Sequence, residues 1–276
     1  MEKIFISFSG GRSSALTTRI LVERYGRENC VILFANTGKE NEATYKFVSD
    51  CAKNWNYEII WIEATFEKYD GSKSQRDCIG FKVVNEHNFR RNNVVVQDNS
   101  TPFGDMIEAF SMLPNRQTRF CTQYLKIVPM EKYLKSVNIE NYTTAMGIRY
   151  DEPLRAEKHP EKLLPLNKFL MTKEDVLYWW SKQSFDLHLE EQHGNCDLCV
   201  AKSLRKVKTI MRQNPSVCNW YKEIELKFNT TFFENKTIDD IYNLSKRKFS
   251  LFRENEKKSQ QTLFGQDLEI SCYCGE

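Results

Sequence analysis

Lys3-Ile4-Phe5-Ile6-Ser7-Phe8 runs directly into Ser9-Gly10-Gly11-Arg12-Ser13-Ser14, and Ala15-Leu16-Thr17-Thr18-Arg19-Ile20-Leu21-Val22 follows. Residues 3–8 form an apolar run of strand length, suited to burial on both faces of a sheet. Residues 12–25 carry apolar positions at helical spacing, and Gly26 suits the helix stop. The turn between them aims its backbone N–H groups and a helix N-terminus at an anion. Gly10 and Gly11 permit close backbone approach, Arg12 adds charge, and Ser9, Ser13 and Ser14 add hydroxyls. The turn is neither a Walker A loop, since no Gly-Lys-Ser/Thr follows, nor GxGxxG. The alternative is a plain strand-to-helix turn. Placement at the C-terminal edge of a first buried strand, where open α/β sheets bind ligands, favours the anion reading.

Outward from this stretch, residues 31–35 (VILFA) and 57–63 (YEIIWIE) read as strands, and residues 41–55 as a helix between them. Strand starts recur about every 27 residues, the length of a right-handed βαβ unit. The spacing predicts an α/β fold with a doubly wound, mostly parallel sheet. Residues 65–119 read as loops and short helices with the character of a lid. A helix follows at 129–136, with Pro129 in its first turn, and a strand at 142–147. Thr172 and Asp175 form a loose capping box for a helix over 172–183. From about residue 200 the chain reads as helices joined by polar turns. The expected organisation is a nucleotide-binding domain over 1–170 and a helical C-terminal region over 171–276 that carries a cysteine cluster and a tail.

The 276 residues are 41% hydrophobic and 28% charged, an ordinary globular balance. Forty basic residues against 37 acidic ones leave a net charge of +3, which neither demands nor excludes a nucleic-acid partner. The N-terminal apolar run is too short for a secretory signal, and no window approaches the roughly 18 apolar residues of a membrane span. A cytoplasmic protein without membrane contact is the expectation. In a reducing compartment, nine cysteines with Cys196/Cys199 and Cys272/Cys274 clustered point to metal or redox chemistry before disulfides.

Four segments carry a family resemblance. Ser9-Gly10-Gly11-Arg12-Ser13-Ser14 resembles the pyrophosphate-binding PP-loop, SGGxxS, of the adenine nucleotide α-hydrolase-like superfamily. Asn36-Thr37-Gly38-Lys39-Glu40-Asn41-Glu42, after the second strand, resembles the "DTG…E" segment of phosphoadenosine-phosphosulfate (PAPS) reductases. Gly147-Ile148-Arg149-Tyr150-Asp151-Glu152-Pro153-Leu154-Arg155 resembles their "GxRxDExxxR" segment, and Leu164-Pro165-Leu166 with Thr172, Asp175, Val176 and Trp179 their "P…T..DV..W" stretch. The chain is similar to the phage and mobile-element branch of that family. It departs at Arg12-Ser13, where the superfamily often has Lys-Asp, at Asn36, where the reductases usually have Asp, and at the tail, which ends Ser271-Cys272-Tyr273-Cys274-Gly275-Glu276.

The resemblance implies a Rossmann-like fold that binds ATP or another adenine nucleotide, with phosphates on Ser9 to Ser14 and with Thr37, Gly38 and Gly147 shaping the pocket. Arg149 and Arg155 follow a strand end, where a guanidinium clamps phosphate or sulfate bidentately. Asp151 and Glu152 orient those arginines, hold Mg²⁺ or act as a base. Lys39, Glu40 and Glu42 read as the start of the next helix, where acidic residues suit the dipole.

Cys196-Asp197-Leu198-Cys199 is a CxxC, a spacing at which two thiolates share one metal. Arg119-Phe120-Cys121 followed by Lys126 and Pro129 resembles the cluster-binding "C…K..P" segment of the iron–sulfur reductases. Cys121, Cys196, Cys199 and a tail cysteine, Cys272, make four ligands for a 4Fe-4S cluster, with Zn²⁺ as the alternative. Cys30, Cys51, Cys78 and Cys218 read as buried small side chains. Lys202, Arg205, Lys206, Lys208 and Arg212 partly share a helix face, which suits either a phosphate backbone or plain solvation. Residues 246–258 read as a tether for the tail.

Two chemistries fit the resemblance. In one, ATP is cleaved between its α and β phosphates with Mg²⁺, and an acceptor, a nucleic acid among the candidates, is adenylated before sulfur transfer from a sulfur or thiol donor protein. In the other, Cys272 or Cys274 attacks a sulfonucleotide and sulfite is released. A non-catalytic nucleotide sensor and a zinc-stapled nucleic-acid binder are the rivals. The oligomeric state is open.

Overall fold

The computed structural model describes residues 2–91 and 101–247. The chain order is β1 (Lys3–Ser7), α1 (Arg12–Tyr25), β2 (Cys30–Asn36), α2 (Glu42–Trp55), β3 (Ile60–Phe66), β4 (Ile79–Val84) and α3 (Pro102–Phe110). A short helix α4 (Phe120–Thr122) passes through a π turn at Gln123–Ile127 into α5 (Val128–Ser136), and β5 (Tyr142–Ala145) follows. The remaining helices are α6 (Pro153–Ala156), α7 (Pro165–Lys168), α8 (Lys173–Trp180), α9 (Leu204–Gln213), α10 (Cys218–Phe228) and α11 (Ile238–Lys246).

The fold is mixed α/β, with one five-stranded sheet in the order β4-β3-β2-β1-β5. β1 pairs parallel with both β2 and β5, β2 pairs parallel with β3, and β4 closes the edge antiparallel to β3. Two crossovers step outward from β1 to β3, and the chain then returns to lay β5 on the other side of β1. β1 therefore has a parallel neighbour on each side, β2 and β5, and the loops after β1 and β5 leave from adjacent strand ends.

Alternation along the strands feeds two cores. Ile4, Ile6, Ile32, Phe34 and Trp61 pack with Leu16 and Leu21 of α1, Phe47 and Val48 of α2, and Val176 and Trp180 of α8. Phe5, Leu33 and Ala35 point the other way, onto Met130 and Leu134 of α5. Each fully buried side chain of this size contributes about 1.5–3 kcal/mol relative to exposure. Trp180 is one of them, 1% exposed, with its ring 5.0 Å from Phe47.

The first three strands and both intervening helices fall where the sequence spacing puts them, and Thr172 with Asp175 forms the capping box of α8. Residues 65–119 are a correction. They hold a full edge strand, β4, and the nine-residue helix α3. Phe103, Met106, Ile107 and Phe110 recur at helical spacing and are buried, a signal masked by the Pro-Phe-Gly start. β4 shows no polar alternation, because its edge position leaves Val83 exposed beside buried Val84. The apolar island Val94 to Val96, within that stretch of sequence, lies outside the described residues.

The described chain forms two compact units. One takes in residues 2–91, 101–110 and 120–196, and the other residues 111–119 and 197–247. Residues 171–196, α8 included, therefore belong with the sheet. In the second unit Ser203 caps α9 and a Thr237/Asp240 box caps α11, and buried Glu225 of α10 accepts the N–H groups of Phe232 (3.1 Å) and Ile238 (2.8 Å).

Candidate functional site

The loop after β1 is built around one strict demand on backbone space. Gly10 has φ +74°, and a β-carbon there would lie 2.5 Å from Thr44 Cγ2, so only glycine fits. The Ser14 hydroxyl holds the turn together: it accepts from the Ser9 N–H (3.2 Å), the Ser9 hydroxyl (3.1 Å) and the Gly11 N–H (3.3 Å), and donates to the Gly11 carbonyl (2.9 Å). Ser14 is thus the loop's internal brace. α1 begins at Arg12 with no acidic residue in its first turn, leaving its N-terminal N–H groups in an electropositive setting.

Arg12 turns away from the loop. Its guanidinium grips Asp186 through Nε (2.7 Å) and Nη2 (2.8 Å) and also bonds the Leu187 carbonyl, while Trp180 Nε1 donates to the Arg12 carbonyl at 3.0 Å. The charge assigned to phosphate is here spent on tying residues 180–187 to the α1 N-terminus.

The loop after β5 meets the first loop directly. A β-carbon on Gly147 would lie 2.8 Å from the Ser14 nitrogen and 2.9 Å from the Ser13 carbonyl carbon. Arg149 follows, with Nη1 3.5 Å from Ser13 Oγ. Asp151 receives the Arg149 Nε at 2.9 Å and Nη2 at 3.3 Å, and Glu152 accepts the Arg149 N–H at 3.1 Å and Arg155 Nη1 at 3.3 Å. Of the roles open to the two carboxylates, orienting the arginines is the one this geometry displays. Leu163 supports the loop through a Met146 N–H bond of 3.0 Å.

The third segment, after β2, departs from expectation. Lys39 and Glu40 precede the helix, which Asn41 caps; only Glu42 lies in its first turn. Lys39 is 1% exposed. Glu40 folds back to accept the Thr37 N–H (3.1 Å), the Thr37 hydroxyl (2.7 Å) and the Tyr45 hydroxyl (3.1 Å). Burial and the Glu40 charge push the Tyr45 phenol well above its ordinary value. Thr37 Oγ1 also lies 3.4 Å from Cys196 Sγ, which is 3.9 Å from Glu40 Oε1. The first cysteine of the CxxC therefore stands against the Thr37 turn. Sequence reasoning placed Glu40 in the segment after β2 but read it as a helix start, and it missed Asp186 and Glu63, which sit in no motif and come in only through the fold.

Cys121 sits at the start of the helix that runs through the π turn, a helical defect frequent at functional sites. Cys196 belongs to the first unit and Cys199 to the second. Among the described residues, no group of three or more His, Cys, Asp or Glu side chains is placed to hold a metal ion. Cys272 and Cys274 lie outside the described residues. Burial raises the Cys30 thiol to about 11 and lifts those of Cys51 and Cys218, as suits core positions. No helix among the described residues is long and apolar enough to cross a membrane.

No family model matches the chain. The uncharacterized protein MJ0066 of Methanocaldococcus jannaschii is 21% identical over 237 residues, and the match spans 80% of this chain but only 40% of that protein's length. The uncharacterized nin region protein ORF290 of Escherichia phage lambda is 32% identical over 223 residues, covering 79% of this chain and 73% of the phage protein. With likeness at that level across most of both sequences, the chain belongs to the family of the phage lambda nin region protein.

Proposed function

We propose that this chain is a PAPS-reductase-like enzyme on a doubly wound, Rossmann-like PP-loop fold, and that it uses ATP to adenylate an acceptor before sulfur transfer. The observation that carries the reading is the junction of Gly147 with Ser13 and Ser14, which joins the glycine loop after β1 to the arginine loop after β5 at adjacent strand ends of the sheet. The α-phosphate lies over the α1 N-terminus, bound by backbone N–H groups of residues 10–14. Thr37 and Gly38 take the adenosine. An acceptor nucleophile attacks the α-phosphorus and the bond to the β-phosphate breaks, releasing pyrophosphate; Mg²⁺ bound with the nucleotide would supply charge neutralisation to that leaving group. Arg149, held by Asp151, and Arg155, held by Glu152, stabilise the charge that develops. A sulfur nucleophile then displaces AMP from the adenylated acceptor.

Nucleic acid is the proposed acceptor class, a thiol or sulfur carrier the proposed donor, and the cytoplasm the proposed compartment. The phage relative supports the mobile-element branch. Cys121, Cys196 and Cys199, with Cys272, are the all-thiolate donor set proposed for a 4Fe-4S cluster, with Zn²⁺ as the alternative.

The test is product analysis. Incubation with Mg-ATP, sulfide and mixed RNA and DNA oligonucleotides yields AMP and pyrophosphate in acceptor-dependent amounts if the proposal holds. ADP and phosphate, or no turnover, contradicts it. Sulfite from a sulfonucleotide places the tail thiols in the reductase role instead.

A further inference from the structure

We propose that Glu63 and Arg90 are positioning residues for the turn Asn36–Glu40, acting through the side-chain amide of Asn36. The inference rests on the nucleotide reading only for what the turn holds, not for how it is held. Glu63, on β3, is fully buried. Its carboxylate accepts from Asn36 Nδ2 (2.7 Å), the Arg90 N–H (2.6 Å) and Arg90 Nε (2.8 Å), and pairs with Lys82 Nζ of β4 (3.1 Å). Arg90 Nη1 also pairs with Asp105 of α3. The buried Glu63 charge is thus paired with two cations at the edge of the core, Arg90 and the half-exposed Lys82, and Asp105 pairs with Arg90 from outside, the pairing under which a buried charge is tolerated.

Asn36 connects this cluster to the site. Its Nδ2 donates to the Arg90 carbonyl (2.8 Å) as well as to Glu63, and its Oδ1 accepts the Gly38 N–H (2.9 Å). The backbone of residue 90 is therefore clamped at both its N–H, by Glu63, and its C=O, by Asn36. On the other side of the turn, the Phe103 N–H of α3 bonds the Thr37 carbonyl at 3.0 Å. The sheet does not need this network, because Asn36 and Glu63 are already paired across β2 and β3 by backbone register. What the network adds is a fixed direction for the Gly38 N–H and the Thr37 side chain.

The arrangement also accounts for an amide at position 36, where the PAPS reductases usually carry Asp. The Asn36 NH₂ faces two acceptors, Glu63 Oε1 and the Arg90 carbonyl. An aspartate there would crowd three oxygens with no proton among them, and one of the two carboxylates would take up a proton. The groups facing that proton are Glu63, Arg90, Lys82 and, through Arg90, Asp105.

The test is amide hydrogen exchange on the full chain without nucleotide, followed by equilibrium binding of Mg-ATP. Asn36→Asp speeds exchange of the Gly38 and Phe103 amides by roughly tenfold or more relative to wild type at neutral pH. That deficit shrinks from about pH 8 to about pH 5, as a shared proton replaces the lost donor. Asp105→Asn, at the outer end of the network, gives a smaller effect at the same amides and guards against a variant that fails to fold. Unchanged exchange at both amides in Asn36→Asp, or a deficit that does not move with pH, overturns the proposal. Wild-type protein that binds no Mg-ATP overturns the nucleotide reading and leaves the exchange result to judge the clamp.

Discussion

Gly147 and Ser14 meet backbone to backbone: a β-carbon on Gly147 would lie 2.8 Å from the Ser14 nitrogen. The contact locks the loop after β5 to the first turn of α1, so neither loop moves without the other. Backbone cannot swing aside as a side-chain tip does. Gly147→Ala therefore lowers stability by about 1–3 kcal/mol, the usual cost of overpacking. Gly11→Ala is the matched control. Its β-carbon meets only Ser9 Oγ, at 3.6 Å, and its cost stays within about 0.5 kcal/mol. Urea titration of the two variants checks this; equal losses contradict the locked junction.

Arg12 and Asp186 form a bidentate pair with each side chain about a quarter exposed. Solvent screening keeps such a pair modest, and the fork geometry lifts it above the ordinary surface value. A double-mutant cycle of Arg12→Ala and Asp186→Ala gives a coupling of about 0.5–1.5 kcal/mol. A coupling near zero means that the pair does not tie residues 180–187 to α1.

Burial raises the Glu225 carboxyl above the usual carboxylate range, outweighing the N–H groups of Ile238 and Phe232 that it accepts. A carboxyl with a raised folded value adds stability in its protonated form. That contribution is complete below the unfolded value and is lost as pH rises through the folded one. Wild type therefore loses stability relative to Glu225→Gln as pH rises above the ordinary glutamate value of about 4.3. Parallel pH profiles for the two proteins contradict the assignment.

Protein purified without oxygen absorbs near 400 nm and carries about four irons and four sulfides per chain if the cysteines hold a 4Fe-4S cluster. Cys121→Ser and Cys199→Ser each lower both contents. A colourless protein with one zinc per chain selects the alternative metal.

The sheet was legible because each βαβ unit writes its own period: Ile4, Ile32 and Trp61 come from apolar runs separated by amphipathic helices of ordinary length. β4 was not, because an antiparallel edge strand needs no crossover and leaves no such spacing. The site divides in the same way. The loops at Ser9 to Ser14 and Gly147 to Arg155 were readable as strand-end segments because each is contiguous in the chain. Arg12's partner lies 174 positions away, and Glu63 reaches Arg90 over 27, so their roles arise only once the chain is folded. Glu40 read as the start of a helix because its bonds to Thr37 and Tyr45 replace the helical ones its position suggests.

The measurement that bears most directly on the central claim is amide exchange of the full chain with and without a non-hydrolysable Mg-ATP analogue. If a nucleotide binds as proposed, it protects the amides of residues 10–14, 37–40 and 147–149 together. Protection confined to other segments, or none at saturating analogue, contradicts a nucleotide-binding enzyme built on these loops.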